Sequence, residues 1–560
     1  MRAAILALPL ALAGLAAGAP AWAQNQPMGA GQAQGQGTGQ GQGGGAGGQR
    51  ANRVVQPYIE VGQVLSAELS PGDDVLTFTT IAVGVDINVQ GRNSGAAVSL
   101  RYERNIGYGN DNDTVDTDTI SGVARGTLAV IPNALSFEAG ALAARTRVDG
   151  GGGTTTNPLV REDAESRFYS AYAGPSLNTR VGDVDVQGVG RVGYNRFEND
   201  AVLTNAQGQP VDVFDDSVTY LGQVRAGFRP DTVLPVGLAV TAGGFQEDIA
   251  NLDQRVRDLY ARADITVPVS PSVALVGGIG YENVEISSRD ALRDANGNPV
   301  VGTDGRFVTD PASPRILAFD VDGLLWDVGV MWRPSSRTSL EARVGHRYDS
   351  TTYYGTFTYA PSQRSAFALA VYDGVTGFGG LLNNSLAGLS SDFQAIRNPV
   401  TGDFGGLVNG TEGQANIGGL GSVRSAAFRG RGVRASWQRQ VGRTTAALGA
   451  GYDRRTFIAA PGTVLATLDG LTDESYYVIG GLTRQIGQNA NFTTNAYVNW
   501  FDSATPGGDV TAVGGSAAYN QSLTRRLTAR AALAVDYFDS EFTAEDFAFA
   551  TALVGLRYDF

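Results

Sequence analysis

The chain has 560 residues, 76 of them glycine, and only 17% are charged; a soluble globular chain averages about 7% glycine and about 25% charged residues. Its 42 basic residues are all arginine and stand against 55 acidic ones, for a net charge of −13, with one histidine and no cysteine. That inventory argues against nucleic acid as a partner, and it removes disulfides, thiolate metal sites, Schiff-base lysine chemistry and most zinc sites. Beyond the first two dozen residues no run approaches the roughly 18–20 apolar residues of a spanning helix. Sustained helical periodicity is almost absent, so a large all-β chain is what remains.

Residues 1–23 read MRAAILALPLALAGLAAGAPAWA. Arg2 supplies a short positive region, an apolar stretch follows, and Ala21-Trp22-Ala23 forms a small-residue cleavage site, the pattern of a cleaved secretory signal peptide. Residues 24–53 are a Gly/Gln-rich tract with too little apolar surface to offset its ordering entropy, so a disordered periplasmic tail is expected there. The tract is also too short to be the N-terminal plug of a TonB-dependent receptor.

Residues 54–560 repeat one unit. About ten residues of alternating polarity, the length of a membrane-crossing strand, run into a short turn, and a second such segment ends in aromatics and a polar loop. The turns, rich in Pro, Gly and Ser, fall at 131–134, 180–183, 269–272, 333–337, 360–364, 440–443, 485–488 and 523–526. Leu527, Ala529, Ala531, Leu533, Val535 and Tyr537 share one face of their segment, and Thr528, Arg530 and Asp536 the other. The connections at the opposite ends are long and polar: 108–119, 149–163, 197–216, 287–315 and 374–421. Short turns on one side and long loops on the other predict a transmembrane antiparallel up-and-down β-barrel of about 22 strands, within a range of about 20–24. One segment resists sorting, because Asp320, Asp322 and Trp326 share a parity.

The last strand, FAFATALVGLRYDF, places Val554, Leu556, Tyr558 and Phe560 on one apolar face and ends on an aromatic. That register resembles the β-signal read by the barrel-assembly machinery. With the block from Trp332 to Gly379, it makes the chain resemble the outer-membrane β-barrels of Gram-negative bacteria. The likeness is to large uncharacterised alphaproteobacterial barrels, including those associated with exopolysaccharide and PEP-CTERM systems. The resemblance implies an outer-membrane location and a setting of lipid and lipopolysaccharide, with exopolysaccharide or other envelope components as partners. It implies no catalytic residues and no cofactor.

His346 shares a face with Leu340, Ala342, Val344 and Tyr348, which puts it on the lipid side near the outer interface, whereas a catalytic histidine would need a partner and access to substrate. Asp111, Asp113, Asp116 and Asp118 form a weak calcium candidate without the closing Glu of an EF-hand; a solvated loop is the commoner meaning. Arg101, Arg125, Arg191, Arg225, Arg262, Arg343, Arg434, Arg530 and Arg557 sit in strand-like segments, interleaved with Glu103, Asp185, Asp264, Glu341 and Asp536. They form either a ladder of ion pairs bracing an inner wall or an Arg-biased conduit that sets solute selectivity. The stretch 374–421 either folds inward to narrow the barrel or lies on the surface. The segments 205–210 and 294–299 read as exposed hairpin tips. The expected function is a non-enzymatic channel for small solutes or an exported glycan. The alternative is a structural or surface-interaction barrel with a plugged lumen, and an outer-membrane hydrolase is disfavoured.

Overall fold

The computed structural model describes residues 52–108, 118–148, 154–155, 165–199, 212–362, 364–389, 393–402, 404–410, 413–416, 422–541 and 546–560. The wall opens with β1 (Asn52–Ser70), β2 (Val75–Gln90), β3 (Ser94–Gly107), β4 (Asp118–Ile131) and β5 (Leu135–Val148). It continues with β6 (Glu165–Val181), β7 (Val184–Asn199), β8 (Asp216–Phe228), β9 (Gly237–Ile249), β10 (Gln254–Ser270) and β11 (Val273–Ser288). Next come β12 (Ile316–Ser335), β13 (Thr338–Arg347), β14 (Ser350–Ser362) and β15 (Ser365–Thr376). The last seven are β16 (Phe428–Val441), β17 (Thr444–Phe457), β18 (Thr472–Ile486), β19 (Ala490–Asp502), β20 (Val510–Ser522), β21 (Leu527–Ser540) and β22 (Phe547–Asp559).

Each strand pairs antiparallel with its neighbours, and β22 pairs with β1 from Tyr58↔Asp559 to Ser70↔Ala548, so the sheet closes into a 22-stranded barrel. Closure removes every free edge, a condition for β structure in lipid, where an unpaired backbone group finds no water. Alternation then sorts the side chains. Val224, Leu324, Leu533 and Val554 project outward and are more than half exposed. Arg262, Asp264, Arg343 and Glu341 project inward and are buried. A polar interior inside an apolar exterior marks a membrane barrel; no helix among the described residues is long and apolar enough to span a membrane.

The strands run to 20 residues, past the roughly 9–11 that cross a bilayer. In β12 the excess includes its long-loop end, and it explains the segment that would not sort. Asp320, Asp322 and Trp326 do share the outer face, but the two aspartates sit on the part of β12 beyond its apolar stretch, where Asp322 accepts the Tyr281 hydroxyl. All eight expected short turns join consecutive strands; two more, at 91–93 and 229–236, complete that end.

Over the long-loop end, residues 289–315 fold back on themselves through the bridges Ala291↔Thr309 and Val301↔Phe307. The buried Arg306 of that loop donates to the carbonyls of Phe197, Val213 and Phe214. Residues 294–298 are exposed as expected; the other expected tip, 205–210, lies outside the described residues. Between β15 and β16 the chain turns inward and forms a helix, α1 (Phe378–Ala387). A small antiparallel sheet follows: Gln394–Arg397, Phe404–Gly410 and Gly413–Asn416.

Candidate functional site: the loop across the bore and the arginine wall

The segment after β15 reads GFGGLLNNSLAGL, and the spacing of Phe378, Leu382 and Leu386 puts three apolar side chains on one face of a helix. All three are fully buried, each contributing roughly 1.5–3 kcal/mol by its removal from water. Phe378 packs on Phe214, ring centroids 4.9 Å apart, and edge-on to Phe197 at 6.4 Å. The helix lies against β5, β6, β7 and β8, inside the wall.

Its N-terminus is seated on a carboxylate. Glu247 of β9 is wholly buried and accepts the Gly377 N–H at 2.9 Å. An anion there satisfies first-turn donors that have no partner within the helix and complements the positive end of the helix dipole. Close approach needs glycine: a Cβ on Gly379 would collide with Ser217, Asn195 and Glu247. Farther along the helix, the Asn383 amide donates to Thr219 at 2.9 Å and accepts the Ser170 hydroxyl at 3.1 Å. These buried polar contacts fix the helix to one stretch of wall in one register, a specificity that apolar packing alone does not supply.

The chain then crosses the bore. Arg397 donates to the Ser121 hydroxyl at 2.8 Å and to the Ser99 carbonyl at 3.3 Å, reaching β3 and β4. Val400 joins a buried cluster with Val64, Phe78, Ala532 and Leu553, from the strands that close the ring. Gly402 has φ +72°, and a Cβ on it would press on the Arg101–Glu103 pair, so the loop rests directly on a wall ion pair. The strand Gly413–Asn416 lies against β15, β16 and β17. The loop therefore touches the wall on several sides and runs transversely inside the barrel, the inward of the two arrangements open from sequence.

The nine arginines singled out from sequence all sit in wall strands and engage partners inside. Arg101 pairs with Glu60 and Glu103, each at 2.8 Å, and Arg530 reaches Glu60 at 3.1 Å. Glu138 bridges Arg191 at 2.7 Å and Arg125 at 3.4 Å. Arg225, Arg262 and Arg343 share Asp264, and the last two also share Asp327; Arg343 further holds Glu341 at 2.8 Å. Arg557 joins Asp86 at 3.2 Å and Asp559 at 2.9 Å and lies over the Tyr58 ring. Arg434 stacks on Tyr372 at 4.9 Å. Of the interleaved acids, Asp185 holds Arg180 and Arg229, whereas Asp536 accepts the Tyr497 hydroxyl at 2.9 Å.

Sequence reasoning passed over the most buried charge cluster. Arg347 is 1% exposed and pairs with Asp258 and Glu282, both at 2.8 Å. The next residue, Tyr348, has φ +55°, an uncommon conformation for a bulky side chain. It is held there because its N–H donates to Glu282 at 2.7 Å and its hydroxyl to Asp258 at 3.0 Å. The parity of Arg347, opposite to His346, was the available signal; its partners, 65 and 89 residues away, were not.

His346 points outward, 40% exposed, in register with Trp326. Of the calcium candidates, Asp111, Asp113 and Asp116 lie outside the described residues; Asp118 pairs with Arg104 at 2.8 Å and accepts the Tyr102 hydroxyl. Residues 1–51, with the expected signal peptide and most of the tail, also lie outside, and β1 begins at Asn52. Val554, Leu556, Tyr558 and Phe560 all face outward and are exposed.

No protein-family model matches the chain, and a comparison with curated proteins finds no match. Among solved structures it is similar to the FrpB iron transporter of Neisseria meningitidis, with 10% identity, coverage of 90% of this chain and 82% of that one, and a TM-score of 0.43. It is also similar to the ferric-catecholate import receptor Fiu of E. coli K12 (10% identity, 90% and 81% covered, TM-score 0.43). The copper transporter OprC gives 12% identity, 90% and 80% covered and a TM-score of 0.39. Values this low transfer no residue role and no ligand to this chain.

Proposed function

We propose that the chain is an outer-membrane channel whose bore is narrowed by its own inward loop, passing small polar solutes or an extended glycan. The observation that carries this reading is the seat of α1 on Glu247. A loop held inside a wide barrel by buried polar contacts is a built constriction, since a 22-stranded wall encloses a lumen too wide for side chains alone to fill. The wall arginines supply selectivity, because a charged ring at a constriction sorts solutes by sign. The outward register of Val554, Leu556, Tyr558 and Phe560 supports reading the last strand as the signal for barrel assembly. It also supports a lipid and lipopolysaccharide setting.

A structural barrel with a blocked lumen is the second reading. It is favoured by the buried cluster in which Leu252, Ala291 and Leu465 from three loops and Phe428 of β16 meet Leu381 of the helix. Planar-bilayer conductance of the refolded protein separates the two. Thr376 pairs directly with Phe428, so residues 377–427 can be replaced by a short turn without cutting the wall. The channel reading expects small ohmic steps from the full chain and much larger ones after deletion. Silence in both, with heat-modifiable migration proving that both barrels are folded, overturns it in favour of the structural barrel.

A further inference from the structure

At the short-turn end, on the inner side of β7 to β12, the wall encloses a pocket of about 250 Å³. Three arginines line it, Arg225, Arg229 and Arg333, together with Asp185, Asp264 and Thr266. Neither carboxylate is free to neutralise an added cation. Asp264 already serves Arg225 at 3.0 Å, Arg262 at 2.5 Å and Arg343 at 3.4 Å. Asp185 serves Arg180 at 2.7 Å and Arg229 at 2.8 Å.

Arg333 is half-buried and makes no ion pair among the described residues; the carboxylate it feels, Glu341, is held by Arg343 at 2.8 Å. Two ion-pair networks border the pocket, Asp185 with Arg180 and Arg229, and Asp264, Asp327 and Glu341 with Arg225, Arg262 and Arg343, while Arg333 belongs to neither. Arg333 is thus a cation without an ion pair among the described residues, in a chain whose net charge is −13. A planar fork with no protein partner, set in a concave wall beside two more forks, matches the geometry of an oxyanion.

We infer that this pocket binds the phosphate or carboxylate group of a small solute at the short-turn mouth of the lumen. Arg333 supplies the open fork, Arg225 and Arg229 add field and donors, and Thr266 offers a hydroxyl to the body of the solute. The inference deepens the channel reading by naming the sign and chemistry of the solute, yet binding needs no conduction, so a silent pore does not decide it.

The test is calorimetric titration of the full-length refolded protein, in a phosphate-free detergent, with inorganic phosphate and separately with acetate. Saturable binding of at least one of the two anions is expected, and which one binds identifies the group preferred. Arg333→Gln should weaken that binding about tenfold, the effect of one charge-assisted hydrogen bond. Arg333→Lys, which keeps the charge without the fork, should fall between. Arg364→Gln, on an exposed turn elsewhere, should bind as the unaltered chain does. If Arg333→Gln fails the heat-modifiable migration test for folding, Arg229→Gln replaces it with the same expectation. No saturable binding of either anion at millimolar concentration, or equal affinity in the Arg333 and Arg364 variants, overturns the assignment.

Discussion

The carboxylate of Glu247 accepts the backbone N–H of Gly377 at 2.9 Å, so a wall residue holds the chain one step before the only α-helix among the described residues. Removing that acceptor leaves buried donors unsatisfied, at a cost of about 1–3 kcal/mol. Glu247→Ala, and independently Gly379→Ala through steric conflict with Ser217 and Asn195, should unseat the loop. Protease cleavage within residues 377–427 should accelerate in both variants while the barrel keeps its heat-modifiable migration. Unchanged cleavage would show that the latch does not hold the loop.

Phe378 anchors the same helix by packing. It is fully buried between Phe214 and Phe197, and truncating such a residue typically costs about 3–5 kcal/mol. Phe378→Ala should raise hydrogen exchange across 378–387 without lowering the temperature at which the barrel unfolds. A matching fall in that temperature would mean that loop and wall unfold as one unit.

Arg347 tests the wall itself. Taking it away strands Asp258 and Glu282 as uncompensated buried charges, for which about 3–5 kcal/mol is typical. Arg347→Ala should therefore melt at a markedly lower temperature. Combining Arg347→Met with Asp258→Asn and Glu282→Gln should recover most of that loss, because no buried charge then remains.

The outer face makes an opposite demand. Leu533 is 64% exposed on the apolar belt, and arginine at the bilayer midplane costs about 2–4 kcal/mol, falling towards the interfaces. Leu533→Arg should lose stability in reversible unfolding from lipid vesicles and little of it in detergent, which adapts to a charge. Equal losses in both would place the membrane belt elsewhere.

Asp294 gives a pH dependence that can be read locally. It lies in the exposed tip of the loop between β11 and β12, where its carboxylate accepts the N–H groups of Asn298 at 2.9 Å and Asn296 at 2.8 Å. Those donors, Asn298 foremost, hold its pKa below the ordinary aspartate value. A depressed pKa means the ordering of the tip is fully present above the unfolded value and lost as pH falls through the folded one. Protection of the Asn298 amide, corrected for intrinsic exchange, should persist to mildly acidic pH and vanish below; Asp294→Ala should abolish it at every pH.

The wall was legible because period-2 patterning reports directly on which face each residue takes, and Pro, Gly and Ser mark where strands stop. Of the two missed turns, the one at 91–93 is as short as those that were found, and the one at 229–236 is longer and holds two prolines. The inner face was legible as composition but not as pairing. That Arg101 would meet Glu60, 41 positions earlier, depends on a register that builds up from strand to strand. The loop was legible as apolar and glycine-rich; its helix had a signal in the four-residue spacing of Phe378, Leu382 and Leu386. Glu247 carried none, since the Glu247-Asp248 pair near a strand end looks like any solvated charge until a distant segment arrives on top of it.

The pairing of Thr376 with Phe428 has a kinetic consequence. Both ends of the inward segment hang from a single rung of the ladder, so the segment is a loop tethered at both ends that can swing but cannot depart. Once unseated it stays at a high effective concentration beside its own seat, and reseating is a unimolecular event. Closing of the bore should therefore be rapid and independent of protein concentration, with its rate set by the length of the tether rather than by any encounter in solution.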